Sequence, residues 1–337
     1  MIAGGDAASV ASLFVRCLLS GVHSVATRNG AYPLSTSEAI CAVQPRVAAR
    51  PMHAYLALLV GMLAISFTAI FTKWAAVPGP VAAAYRMTIS ALALTIPFFY
   101  QRRGQPRLAL RQARWGVLGG LWFALNLGLL NSALLLTSAA NATLLDNSAP
   151  IWVGLGAMVL FRERLQPRYW IGLGLALVGA AVVTGFSFAP GFQLNQGDAL
   201  ALVGATFYAG YLLITQRGRR DLDTLTYLWL VAVTAALILL AGSLALGLPL
   251  LGHSGRSYLA LLAVGLISKT AGWLLINYAL GYLPASSAVV ILLGQPAVTG
   301  LLAAGLLGEP LAPRQVLGGA LELSGIYMCL RRAVRGK

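Results

Sequence analysis

The amino-acid sequence predicts an all-α membrane protein of ten transmembrane helices, arranged as two inverted five-helix repeats. Three observations carry that expectation: apolar runs of membrane length, an ungapped internal duplication, and positive charge gathered in alternate connections. Of the 337 residues, 58% are hydrophobic and 10% charged, and the hydrophobicity is spread along nearly the whole chain. A soluble domain is not built this way. Runs of about 20 apolar residues, each able to cross a hydrocarbon core about 30 Å thick, follow one another with short breaks. A membrane β-barrel would show short alternating segments instead.

The duplication is the strongest of the three. Residues 131–179 return, shifted by 146 positions and without a gap, as residues 277–325, with 18 of 49 positions identical. The matches include Asn131/Asn277, Pro150/Pro296, Glu163/Glu309, Pro167/Pro313, Arg168/Arg314 and Gly172/Gly318. Apolar composition would align Leu with Leu, but not two prolines, an asparagine, a glutamate and an arginine in one register. The start of each half agrees with a shift of 143, where Val60, Gly61 and Thr72 meet Val203, Gly204 and Thr215.

Residues 1–51 form an N-terminal extension of different composition, read as a disordered segment or a mis-assigned start, because Met52 directly precedes the first span. Residues 52–187 make the first repeat and 197–337 the second. The ten helices are expected at about 54–74, 81–100, 115–136, 140–161, 168–186, 198–216, 225–247, 257–281, 285–307 and 313–331. Pro78 and Pro80, Gly104 and Pro106, then Pro190 and Gly191 punctuate them.

The net charge of +15 reads as topogenic and facing anionic lipid headgroups, not as a nucleic-acid surface. Seventeen Lys/Arg fall on one side, after helices two, four and six and at both ends, against Lys73, Arg256 and Arg314 on the other. The positive-inside rule then puts both termini in the cytoplasm, and a plasma-membrane location is expected. Five helices per copy is an odd number, so the second copy enters the bilayer upside down, the arrangement of many secondary transporters. Cys17, Cys41 and Cys329 make neither a disulfide framework nor a zinc site.

The segment NSALLLTSAANATLLDNSAPIWVGLGAMVLFRERL resembles the third and fourth helices of EamA-type transporters of the drug/metabolite transporter superfamily. INYALGYLPASSAVVILLGQPAVTGLLAAGLLGEPL is similar to the matching helices of that family's second repeat, and AAAYRMTISALAL to its second helix, with Arg86 at the family's arginine position. The resemblance covers about residues 54–331 and implies two EamA repeats that move small metabolites. Lys269 and the N-terminal extension depart from the pattern.

Charges inside spans cost about 2.5–3.5 kcal/mol each on insertion scales, so they mark the site. There are four, Arg86, Asp146, Lys269 and Glu322, and their depths suggest the pairs Arg86–Asp146 and Lys269–Glu322. Packing alone accounts for Arg86–Asp146 as well as function does, and less readily for Lys269–Glu322, whose burial lies at mid-bilayer. Lys269, Trp273 and Asn277 share one helix face, as do Trp122 and Asn126, and Asp146 and Asn147 lie near one stripe with Thr143 and Pro150. These are the candidate substrate-binding residues. Lys269 is expected to hold an anionic or zwitterionic solute, with Glu322 as its resting partner or a proton carrier. Asn131 and Asn277 read as interhelical hydrogen-bond donors, and Glu163 and Glu309 as end-of-helix anchors. Pro150 and Pro296 are expected to kink their helices for gating. Small residues at Gly172/Ala176/Ala180 and Gly300/Ala304/Gly308 allow close packing and leave room for a homodimer.

The function expected is secondary active transport of a small polar metabolite or drug-like compound by alternating access, with export favoured and proton coupling open. No cofactor is implied, and no P-loop, HExxH or intramembrane Ser–His pair is present. The alternatives are a membrane-embedded enzyme and a lipid-handling or structural subunit.

Overall fold

In a computed structural model, residues 52–106, 108–184, 195–307 and 312–330 are described, all within one unit spanning Ala49–Lys337. The expectations placed on residues 1–51, Pro190, Gly191, Gly308 and Glu309 lie outside them. Every element among the described residues is helical. They are α1 (Met52–Ala75), α2 (Gly79–Arg102), α3 (Leu110–Leu136), α4 (Ala139–Asp146), α5 (Ala149–Leu160), α6 (Pro167–Thr184), α7 (Gln196–Gly218) and α8 (Thr224–Ala245). Then follow α9 (Gly255–Ala263), a π-helix π1 (Val264–Gly272), α10 (Trp273–Leu280), α11 (Ala285–Leu292), α12 (Gln295–Leu307) and α13 (Pro313–Leu330). The fourth span is α4 with α5, the eighth is α9–π1–α10, and the ninth is α11 with α12.

Nine of these spans are long and apolar enough to cross a membrane. The tenth, α13, is 18 residues long and less apolar because it opens on Pro-Arg-Gln and carries Glu322. Boundaries follow local chemistry. The first connection turns at Ala76 (φ 51), and Pro80 enters α2 in its first turn, where its missing N–H costs nothing. Asn195 and Asp198 form a capping box on α7, and Asp223 and Ser254 cap α8 and α9.

The prolines expected to kink spans four and nine do more than that. Each span stops, turns and restarts: α4 ends at Asp146 and α5 begins at Ala149, while α11 ends at Leu292 and α12 begins at Gln295. Pro150 and Pro296 each sit second in the restarted helix, the position at which a proline is tolerated.

The most extensive helix contact joins α6 to α13, counterparts in the two repeats. A Cβ on Gly172 would fall 2.8 Å from Gly325 O, and one on Gly179 would fall 2.7 Å from Gly318 O. In the 146 register Gly318 is the counterpart of Gly172 and Gly325 that of Gly179. Each glycine therefore meets the other's counterpart, so the two helices run antiparallel, as inverted repeats require. The first stripe of small residues is buried in this contact, but Gly300 of the second has nothing within 4 Å of its Cβ position. The same symmetry holds elsewhere. Gly61 approaches Gly272, Leu275 and Ile276, while its counterpart Gly204 approaches Asn126, Leu129 and Leu130.

Gly325→Leu should therefore separate α6 from α13, whereas Gly174→Leu, with open space around Gly174, should not. A thermal unfolding series on detergent-purified protein is expected to show a Tm loss for the first variant only. Overpacking of this kind costs about 1–3 kcal/mol or more.

Candidate functional site

A cavity of about 180 Å³ lies at the centre of the bundle, lined by spans one, two, three, four, six, eight and nine. It is below the roughly 300 Å³ at which sites for drug-sized ligands begin, and suits a small solute. Its lining is two-fold in position and asymmetric in chemistry. Six pairs of counterparts face it: Ile65/Tyr208, Phe123/Lys269, Leu127/Trp273, Asp146/Leu292, Asn147/Leu293 and Ala149/Gln295. In each pair one member is apolar and the other brings charge, a hydrogen-bonding group or an indole.

Lys269 lies in π1, on the eighth span, and is 2% exposed. Its Nζ has no hydrogen-bond acceptor among the described residues. It sits 3.6 Å from the centroid of the Phe123 ring and 4.3 Å from that of Trp273. A desolvated ammonium gains about 2 kcal/mol or more from such a ring face. The wide turn of π1 is fixed by Thr270 Oγ1 donating to Gly265 O five residues back at 2.7 Å, and by Ser268 Oγ donating to Ala64 O of α1 at 2.9 Å. π segments set within an α-helix occur often at functional sites, and this one is nine residues long.

Arg86 is the charged neighbour of Lys269. On the other wall, Asp146 Oδ1 accepts from Asn126 Nδ2 at 3.0 Å, and the same amide donates to Gly204 O at 3.1 Å, holding α3, α4 and α7 together. Tyr208 lies beside Asp146. The cavity therefore holds two cations and one carboxylate.

Lys269, Trp273, Asn126, Asp146, Asn147, Arg86 and Pro150 thus come together, but Trp122, Glu322 and Pro296 do not line the cavity. Trp122 turns onto α7, packing on Phe207 with ring centroids 5.0 Å apart and against Gly210. Glu322 is fully buried on α13, its backbone against Gly179 of α6, and both its carboxylate oxygens lack hydrogen-bond partners among the described residues. Neither expected ion pair forms, and Glu322 is not the resting partner of Lys269. Depth along a helix axis placed these charges at similar heights, but not on facing sides of their helices.

Asn277 makes the interhelical bond expected of it, donating to Tyr211 Oη of α7 at 3.3 Å as well as to Trp273 O of its own helix at 2.7 Å, whereas Asn131 donates to Leu127 O of its own helix at 2.7 Å. Phe123 and Tyr208 escaped sequence reasoning. Phe123 was findable, because it is the register counterpart of Lys269 and residues beside a two-fold axis meet their own counterparts.

One end of the cavity is sealed. Phe123 and Trp273 close it and Tyr211 packs against both, with ring centroids 4.7, 5.1 and 5.3 Å apart among the three. Beyond it, Thr215 and Tyr227 hydroxyls pair at 2.9 Å, and Arg219 Nε donates to Asn277 O at 3.0 Å. Arg219 is mostly buried, and desolvation holds its guanidinium below the usual arginine range. Outermost is Glu163, which is no simple helix anchor. Its Oε2 accepts from Ser286 Oγ at 2.5 Å, and Gln216, 3.5 Å from Oε1, also accepts from Ala285 N at 2.8 Å. These contacts tie the first repeat to the second.

A ten-span bundle with a charged cavity between two related halves has the architecture of a transporter. The chain belongs to the EamA-like transporter family, whose model matches residues 52–185 and again 195–331. Among curated relatives it is similar to the Bacillus subtilis uncharacterized transporter YwfM, 28% identical over 198 residues. That match spans 56% of this chain and 64% of the relative, just under two thirds of its length. An uncharacterized transporter of Archaeoglobus fulgidus is 31% identical over 202 residues, 58% of this chain and 69% of the relative. A solved crystal structure shares the fold with a TM-score of 0.71 at 24% identity, over 84% of this chain and 98% of that one.

Because Glu322 is buried and makes no hydrogen bond or ion pair among the described residues, Glu322→Gln, which neutralises an unpartnered carboxylate, is expected not to lower Tm. Breaking a buried ion pair would cost about 3–5 kcal/mol, and a Tm loss of that order would restore the Lys269–Glu322 pair.

Proposed function

We propose that the protein is a secondary carrier of a small zwitterionic metabolite with an amino-acid-like head, working by alternating access in the plasma membrane with both termini cytoplasmic. The observation that carries this reading is the charge content of the cavity: Lys269 and Arg86 on one wall, Asp146 with Asn126 and Tyr208 on another. A solute carboxylate satisfies the two cations, and its ammonium satisfies Asp146. The size of the cavity argues against the drug-like cargo that the sequence left open.

In this reading the cations act as charge-assisted donors in a water-poor cavity, where such bonds are about twice as strong as neutral ones. Lys269 is held ready by the rings of Phe123 and Trp273, which neutralise nothing and so leave its charge available to the solute. Asp146 is the carboxylate that faces the cavity, so coupling to protons is assigned to it and not to Glu322. The sealed end carries Glu163 and the arginine-rich connections, which makes it the cytoplasmic end under the positive-inside rule. Opening of the Glu163–Ser286 contact, hinged at Pro150 and Pro296, would load a solute for export.

Reconstituted proteoliposomes test this with paired solutes, an α-amino acid and the 2-hydroxy acid of the same side chain. Wild-type protein is expected to exchange the amino acid preferentially. Asp146→Asn should lose that preference. Lys269→Met should raise KM about tenfold or more, since a hydrogen bond to a charged group is worth about 1.5–3 kcal/mol. Unchanged exchange in both variants, or no counterflow of any charged solute, would sink the reading.

A further inference from the structure

We infer that the chain carries a binding site for an anionic phospholipid, outside the transport cavity, where the third and sixth spans meet the membrane surface. Arg111 and Arg114 at the start of α3 and Arg217 at the end of α7 converge with Gln112 and Asp221 on one surface pocket. Trp115 organises two of these charges, with the guanidinium of Arg114 at 4.8 Å from its ring and that of Arg217 at 5.3 Å.

Like charges held on one indole repel unless an anion joins them. The acid within reach is Asp221, 3.2 Å from Arg217, and both of those side chains are well exposed, so the pair is worth little. The pocket keeps an excess of two positive charges, which suits a phosphate group.

The source of that phosphate is decided by what lies below it. From Arg114 the same face of α3 descends through Val117, Leu121 and Leu125, which are 45%, 37% and 36% exposed. Leu110, one turn above, is 87% exposed. A headgroup at the arginines sets its acyl chains along this ridge. Free phosphate has no use for the ridge, and a polar partner would leave it uncovered. Basic pockets at span ends are the recurrent form of lipid headgroup sites. This inference does not rest on the proposed substrate.

Full-length protein, stripped of lipid in detergent, is to be titrated with cardiolipin, phosphatidylglycerol, phosphatidylcholine and inorganic phosphate, with Tm and retained lipid by native mass spectrometry as readouts. The anionic lipids are expected to raise Tm and remain bound, and phosphatidylcholine is not. Arg111→Gln with Arg114→Gln should weaken anionic-lipid binding roughly 20- to 30-fold, at about fivefold per arginine near an anionic surface. Arg217→Gln, which leaves the sequence of α3 unchanged, should show part of the same loss should the double variant not fold. Arg102→Gln with Arg103→Gln removes equal charge elsewhere and should leave binding intact. An equal loss in that control would mean diffuse attraction and overturn the site. Protection by inorganic phosphate equal to that by lipid would overturn the lipid, as would indifference to lipid charge.

Discussion

Two backbones in contact across an internal two-fold are the constraint on which this molecule depends. In a bilayer no hydrophobic force drives helices together, since lipid tails are as apolar as leucine, and association rests on close packing. Gly172 and Gly179 supply that closeness to α6, and Gly318 and Gly325 supply it to α13, each accepting the other's counterpart. Gly61 does the same for the first span against the eighth, and its counterpart Gly204 faces the third span at ordinary contact distance. Once these contacts are made, the two halves are fixed around one axis, and the space between them is where that axis passes through the bundle.

A site on a two-fold axis is symmetric unless the sequence breaks it. Here the break is complete: every one of the six paired lining positions has one apolar member. Lys269 and Phe123 show what this achieves. A lysine opposite its lysine counterpart would put two desolvated ammonium groups at one point. Phenylalanine in the other copy converts that repulsion into a cation–π contact at 3.6 Å. Asp146 faces Leu292 by the same logic, so its carboxylate bonds Asn126 instead of a second acid. A symmetric scaffold with asymmetric lining can grip a molecule that is itself polar at one end and different at the other.

Much of this was legible in the sequence, for identifiable reasons. Spans announce themselves because a membrane demands about 20 apolar residues in succession. The repeat was visible because Pro150, Glu163 and Arg168 are too rare in such segments to coincide with Pro296, Glu309 and Arg314 by chance. Arg86, Asp146 and Lys269 reached the cavity because burying a charge elsewhere is expensive. What failed was rotation about helix axes. Trp122 sits one turn from Asn126, yet it packs on α7 while Asn126 faces the cavity. Glu322 matched Lys269 in depth, but it is buried in the bundle away from the cavity lining. The π register of π1 has no sequence mark that periodicity detects, since the bonds of Thr270 to Gly265 O and of Ser268 to Ala64 O that hold it do not show in an apolar pattern. Glu163 read as an anchor because its partners, Ser286 and Gln216, lie in other spans.

The interruptions at Asn147–Ser148 and Leu293–Gly294 acquire their meaning from that last contact. Each cuts its span at the level of the cavity, leaving a short rigid piece between the cavity and the sealed end. In the fourth span that piece is α5, twelve residues or about 18 Å, with Asp146 and Asn147 at one end and Glu163 just past the other. In the ninth it is α11, eight residues or about 12 Å, with Ser286 near one end and Leu292 at the other. The two pieces pack on one another, and the Glu163–Ser286 hydrogen bond joins their far ends. The seal is thereby joined to Asp146 through one rod and to Leu292 through the other, the two members of a single symmetry pair, whereas continuous helices would have given neither residue a separate link to it.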